Sequence, residues 1–227
     1  MLTFRAILVL ATVLLPEFSA AREHVSFPTQ DGGVVYADVY GEGDRGVVLA
    51  HGGRFDKTSW EKQARALAKA GYRALAIDFR GRGQSRGGPQ SKSRDDGVQY
   101  DVLAAVQYLH KTGAKTVSVV GATFGADAAA EASVEAEPGV IDRVVLLAGG
   151  VIDKPEQMKG RKLFIVSRDD RDGSGSLRLP KIRNQYERAP GPKELVILDG
   201  SAHAQFIFAT DQGERLLREI LRFLSDP

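Results

Sequence analysis

The chain has 227 residues, 43% of them hydrophobic and 26% charged, which excludes a disordered or fibrous protein and fits a single folded domain with room for little else. Its 31 basic and 29 acidic residues leave a formal charge of +2, so no broad positive field is available to hold nucleic acid. It contains no cysteine, which removes disulfides, thiolate catalysis and cysteine-held metal or iron–sulfur sites, and its four histidines provide little for a dedicated metal centre.

The first residues, Met1 to Arg5, carry one positive charge, and Ala6 to Leu15 follow as an apolar run of ten residues. Pro16 breaks the run and Ser19-Ala20-Ala21 provides small residues for cleavage, the layout of a secretory signal peptide. The run is too short for a membrane span, which needs about 20 residues. The expected organisation is therefore an export signal over residues 1–21 and one domain over 22–227, in a secreted or periplasmic protein with no stable membrane span. Cleavage removes one base, Arg5, and one acid, Glu17, and leaves the net charge unchanged.

Val25 to Pro28 and Val34 to Tyr40 read as two strands joined by the hairpin signal Gln30-Asp31-Gly32-Gly33. Beyond them, short apolar runs alternate with amphipathic helical stretches. The runs are Val47 to Ala50, Ala74 to Ile77, Val117 to Val120, Val144 to Leu147, Leu163 to Val166 and Leu195 to Leu198. Strands without polar alternation are buried on both faces, as in a parallel sheet covered by helices.

Among the helical stretches, Thr58 and Glu61 have capping-box spacing and predict a helix from Ser59, with Trp60, Ala64, Leu67 and Ala68 on its apolar face. A second helix carries Val98, Val102, Val106 and Leu109, and an alanine-rich third follows Phe124. The last sets Leu216, Leu217, Ile220, Leu221 and Leu224 on one stripe. Between the run at 74–77 and the second helix, residues 81–96 form a loop holding Arg82, Arg86, Lys92 and Arg94. It follows a strand, so it belongs to the carboxyl edge of the sheet, where α/β proteins bind ligands, and its charge suggests a weak bias toward anionic substrates.

The strongest local signal is Gly121-Ala122-Thr123-Phe124-Gly125, set between an apolar run and a helix. A strand, a tight G-x-nucleophile-x-G turn and a helix make a nucleophile elbow. Asp170 follows the run at 163–166, and His203 follows the run at 195–198. Hydroxyl, carboxylate and imidazole thus come in the order 123, 170, 203, each just past its own strand, which is the order of the α/β-hydrolase triad.

On these residues, together with His51-Gly52-Gly53 and Asp78-Phe79-Arg80-Gly81-Arg82-Gly83-Gln84-Ser85, the sequence resembles the α/β-hydrolase superfamily, in particular its small serine esterases, from about His24 to the C-terminus. The resemblance implies a mostly parallel eight-stranded sheet with helices on both faces. It implies catalysis by Thr123, His203 and Asp170, and an oxyanion hole formed by the backbone N–H groups of Gly53 and Phe124. It assigns His51 and the Asp78–Ser85 turn to architecture, and it calls for no cofactor and no metal. The acid rests on spacing, since the family carries it about three residues past a small residue that ends the strand; Ser167 selects Asp170, with Asp169 and Asp172 as alternatives.

The chain departs from the family at the elbow, where serine is usual and Thr123 stands. A β-branched residue at positive φ is strained, and its methyl group crowds the approach to a carbonyl carbon. Three readings follow: Thr123 acts as a slower nucleophile, His203 activates water directly, or the site binds without turnover. Only Gly149 to Arg161 separates two of the apolar runs at the point where family members insert a lid, so no cap domain is expected. An open site suits small soluble carboxylic esters, with amides or thioesters as alternatives, and Gln205, Phe206 and Phe208 are the candidates to line its acyl side.

Overall fold

The computed structural model describes residues 22–93 and 95–226. The export signal expected at residues 1–21 lies outside them. Apolar runs and helical stretches alternate as the patterning predicts. Strands β1 (Arg22–Pro28) and β2 (Val34–Tyr40) form an antiparallel hairpin. They are followed by β3 (Arg45–Ala50), α1 (Glu61–Lys69), β4 (Tyr72–Ile77), α2 (Val98–Lys111), β5 (Thr116–Ala122) and α3 (Phe124–Glu135). Then come β6 (Arg143–Leu147), β7 (Arg161–Ser167), α4 (Leu179–Arg188), β8 (Lys193–Leu198) and α5 (Gly213–Ser225). The eight strands make one sheet in the order β1-β2-β4-β3-β5-β6-β7-β8, antiparallel at β1–β2 and β2–β4 and parallel elsewhere.

The sheet is covered on both faces because its strands have no polar side. Val48, Val119, Leu146 and Phe164 join one core with α2, α3 and Ile182 of α4. Their chain neighbours Leu49, Val120, Leu147 and Ile165 join the other core with α1 and α5. Alternate residues along each strand point to opposite faces, so an unbroken apolar run serves both cores. The link between β6 and β7 holds only a short 3₁₀ turn at Pro155–Gln157, and among the described residues no cap domain stands over the sheet.

Two local expectations are corrected. The helix predicted from Ser59 begins as a 3₁₀ turn, Lys57–Trp60, and becomes α1 at Glu61. The capping residue is Asp56, whose Oδ1 accepts from Thr58 N at 2.8 Å, rather than Thr58 itself. The helix α4 was not anticipated. Its sequence is mostly polar with Pro180 near its start, and only Ile182 and Gln185 are buried.

The turn Asp78–Ser85 is architectural, as expected. Asp78 takes Lys57 N and Lys57 Nζ, both at 2.8 Å. Ser85 Oγ accepts from Tyr36 N at 2.8 Å. Arg80, buried, forks onto Asp101 (Nη2 to Oδ1, 2.7 Å) and reaches Asp31 Oδ2 at 2.7 Å. A buried cation left without its main partner is costly, so Asp101→Ala should lower unfolding free energy by about 3–5 kcal/mol. Urea titration followed by circular dichroism measures it; a loss below about 1 kcal/mol would mean that Asp31 alone compensates Arg80.

Candidate active site

The parallel strands bring the chain to one edge of the sheet, and the residues singled out in the sequence meet there. Thr123 follows β5 with φ 45° and ψ −112°, one of only three non-glycine residues at positive φ among the described residues. Glycine is required on both sides of it by close approach. A Cβ on Gly121 would lie 2.3 Å from the Gly125 carbonyl oxygen, and one on Gly125 would lie 2.3 Å from that of Ala50. Buried alanines at 126, 128, 129, 130 and 132 let α3 settle behind the turn.

The structure brings Asp170 and His203 together. His203 Nδ1 lies 2.8 Å from Asp170 Oδ2. The Asp170 side chain is 1% exposed and that of His203 27%, so a buried carboxylate holds a half-buried imidazole. The backbone fixes the acid, with Arg178 N donating to the Asp170 carbonyl at 2.9 Å and Asp170 N to that of Ser167 at 3.2 Å. Ser167 Oγ also donates to the Ala202 carbonyl at 2.6 Å, tying the end of β7 to the loop that carries His203. The two alternative acids stand elsewhere. Asp169 is exposed. Asp172 closes its own turn by accepting from Ser174 and Ser176 and pairs with Lys181 at 3.0 Å, and these hydrogen bonds hold its carboxyl well below the usual range.

Beside Thr123 lies the loop His51-Gly52-Gly53. His51 Nδ1 faces the Gly52 carbonyl at 2.8 Å and Nε2 accepts from Phe79 N at 3.3 Å, which makes Nδ1 the protonated nitrogen. Burial pushes the His51 imidazolium down, and the neutral ring braces the loop. Gly52 N donates to Gln205 Oε1 at 2.7 Å, and Arg82 Nη2 donates to the Gly53 carbonyl. The N–H groups of Gly53 and Phe124 have no acceptor among the described residues. They are neighbours in space, since a Cβ on Gly53 would lie 3.7 Å from that of Phe124. The Phe124 N–H is at the start of α3, where free backbone donors attract negative charge, and the Gly53 N–H lies in the loop beside it.

Thr123 Oγ1 likewise has no hydrogen-bond partner among the described residues, and its methyl group has a defined place. Cγ2 lies 2.8 Å from where a Cβ on Gly52 would stand, so the methyl packs against the loop and Gly52 must lack a side chain. Behind the elbow, Asp127 Oδ1 accepts from Gly150 N at 2.8 Å and Val151 N at 2.9 Å. Burial pushes its carboxyl up, and these donors oppose the shift only in part.

Thr123, Phe124, Gly53 and His203 line one cleft of about 500 Å³ with Phe55, Phe206 and the arginines 54, 171 and 178. Of the residues expected on the acyl side, Phe206 is there, tilted against Phe55 at 5.1 Å between ring centroids. Gln205 is not. Its amide ties the loops together, donating also to Ser59 Oγ at 2.9 Å. Phe208 packs edge-on against Trp60 in the core. Of the basic loop, Arg82 holds Gly53 and neither Arg86 nor Lys92 lines the cleft, while Arg94 lies outside the described residues. The cleft arginines 54, 171 and 178 were missed; they come from other loops and form no local motif.

Among the described residues, no helix is long and apolar enough to cross a membrane. No group of three or more His, Asp or Glu side chains there is placed to hold a metal ion.

Comparison with known proteins agrees with this architecture. The family model of the serine aminopeptidases, S33, matches residues 41–168. The matched segment contains Gly53, Thr123 and Phe124 and ends before Asp170. An esterase from Pyrococcus furiosus superposes with a TM-score of 0.73 at 21% identity, over 91% of this chain and 92% of that one. A bromoperoxidase from Bacillus anthracis superposes with a TM-score of 0.70 at 18% identity, over 91% and 100%. At these identities the likeness is one of fold. A short match, 40% identical over 57 residues, joins 25% of this chain to a non-haem chloroperoxidase from Kitasatospora aureofaciens, and it spans only 20% of that protein's length.

Proposed function

Because the chain belongs to the S33 serine aminopeptidase family of α/β-hydrolases, we propose that it is an exported hydrolase of small carboxylic esters, working through Thr123, His203 and Asp170. The observation that carries this reading is the hydrogen bond from His203 to the buried Asp170 at the mouth of a cleft that also holds a hydroxyl on a positive-φ elbow. The export component rests on the leader-like segment at residues 1–21.

In this mechanism Asp170 accepts the proton of His203 Nδ1 in a hydrogen bond, which leaves Nε2 as the base. Nε2 takes the proton of Thr123 Oγ1 as the oxygen attacks the ester carbonyl carbon. Negative charge moves to the carbonyl oxygen, where the N–H groups of Gly53 and Phe124 receive it. The intermediate collapses, the C–O bond to the alcohol breaks, and His203 returns the proton to the departing oxygen. Water then attacks the acyl-threonine with His203 again as base, releasing the acid and restoring Thr123.

A second reading is favoured by one observation, the contact of the Thr123 methyl with Gly52. If that crowding keeps Oγ1 from the carbonyl, His203 activates water directly and Thr123 stays unacylated.

The test is turnover of 4-nitrophenyl acetate and butyrate by the mature protein beside His203→Ala. The wild type should hydrolyse at least one of them, and the variant should lose about 10²–10⁴-fold in kcat. No activity in the wild type, or equal activity in both, would overturn the hydrolase reading.

A further inference from the structure

The charge of the cleft is one-sided. Three arginines, 54, 171 and 178, line it beside a single acid, Asp172. Asp172 is already engaged by Ser174, Ser176 and Lys181. Among the described residues, the Arg171 side chain has only the Gly175 carbonyl, at 2.7 Å from Nη1. Arg178 lies with Nε 3.6 Å from Asp170 Oδ1, and that nitrogen is buried without a hydrogen bond. Arg54 is exposed and makes no hydrogen bond or ion pair with any described residue. It stands next in the chain to Gly53, where the oxyanion is proposed to form. The opposite character is local too, because Phe206 is 48% exposed and stands against Phe55.

A cationic rim with an aromatic wall describes a substrate that is apolar along its length and negative at its end. We propose that the cleft selects esters carrying a free carboxylate, such as half-esters of dicarboxylic acids. The carbonyl sits at Thr123, the methylene chain lies against Phe55 and Phe206, and the carboxylate is received by Arg54. Arg171 and Arg178 add to the attracting field. A substrate carrying a free ammonium group would meet these cations and no unengaged carboxylate among the lining residues, so amino-terminal substrates are disfavoured by the same charges. This inference rests on the ester-hydrolase reading and adds the substrate class to it.

The experiment compares kcat/KM for 4-nitrophenyl hydrogen adipate and 4-nitrophenyl hexanoate, esters of equal acyl length that differ in the terminal carboxylate. The half-ester should be favoured by about 10-fold at low ionic strength, and the ratio should fall toward one in about 0.5 M salt. Arg54→Gln should bring the ratio toward one at low salt. A ratio at or below one in the wild type overturns the proposal. A ratio that survives in Arg54→Gln but collapses in Arg171→Gln overturns the assignment to Arg54.

Binding separates this proposal from the reading beneath it. Calorimetric titration with 6-oxoheptanoate and 2-heptanone, which cannot be hydrolysed, should show about 10-fold tighter binding of the anion, lost in Arg54→Gln. That preference without any turnover would end the hydrolase reading and leave anion selection standing. Turnover of the neutral ester without the preference would do the reverse.

Discussion

Thr123→Ser should raise kcat/KM for short esters by about 10-fold or more, and Thr123→Ala should remove nearly all turnover. The gain comes from two features of the elbow. Thr123 holds φ at 45° and ψ at −112°, a conformation that costs a β-branched residue on the order of 1–3 kcal/mol. Its methyl also packs against Gly52 on the loop that presents Gly53, so the chain keeps a carbon where a serine would leave room for the substrate. Serine keeps the hydroxyl oxygen, removes the methyl and eases the strain, since the β-branch is what makes this φ a steric outlier. The same change should stabilise the fold by about 1 kcal/mol, read as a rise in urea midpoint, because the strain belongs to the folded state.

The alanine variant decides between the two chemical routes. If Thr123 is acylated, Thr123→Ala loses the covalent path and retains only what the oxyanion donors and His203 achieve with water. If His203 drives water directly, Thr123→Ala keeps activity or gains it as space opens beside Gly52, while His203→Ala is dead. Intact-mass measurement during turnover adds a second readout, since only the covalent route adds an acyl group to the protein. A serine variant that is slower than the wild type would show that the methyl positions the hydroxyl rather than obstructing it, and the strain argument would fall.

The features legible in the sequence were those set by neighbours along the chain. Apolar runs such as Leu163 to Val166 announced strands buried on both faces, and each chemical residue lay just past the end of one. Asp170 is set apart from Asp169 and Asp172 by the family resemblance, through its spacing to Ser167, and that serine is bonded to the His203 loop. Helix α4 was not legible because tertiary packing of Ile182 and Gln185 holds a segment whose own pattern is mostly polar. Arg178 enters the site only because α4 begins beside it. The long-range ties were equally hidden. Gln205 reaches Gly52 from 153 residues away, and Arg82 holds the Gly53 carbonyl across the sheet edge. Nothing in the residues around Gln205 distinguishes an amide that fixes a loop from one that touches substrate.

Asp170→Asn should lower kcat by about 10³–10⁴-fold while the protein stays folded. The carboxylate accepts a hydrogen bond from His203 Nδ1 over 2.8 Å and is 1% exposed, so water has little access to replace it. An asparagine amide placed there can donate to Nδ1. The imidazole then carries its proton on Nε2, and the nitrogen that should take the Thr123 proton is already occupied. The loss therefore appears in the chemical step, with KM changed far less than kcat, whichever of threonine or water is the nucleophile. Asp169→Asn is the matched control, since it makes the same change on an exposed side chain one residue away. It should stay within about 2-fold of the wild type, as exposed substitutions away from a site generally do. If Asp170→Asn retains more than a tenth of wild-type kcat while Asp169→Asn does not, the acid is the neighbouring residue and the pair seen in the structure is not the one that works.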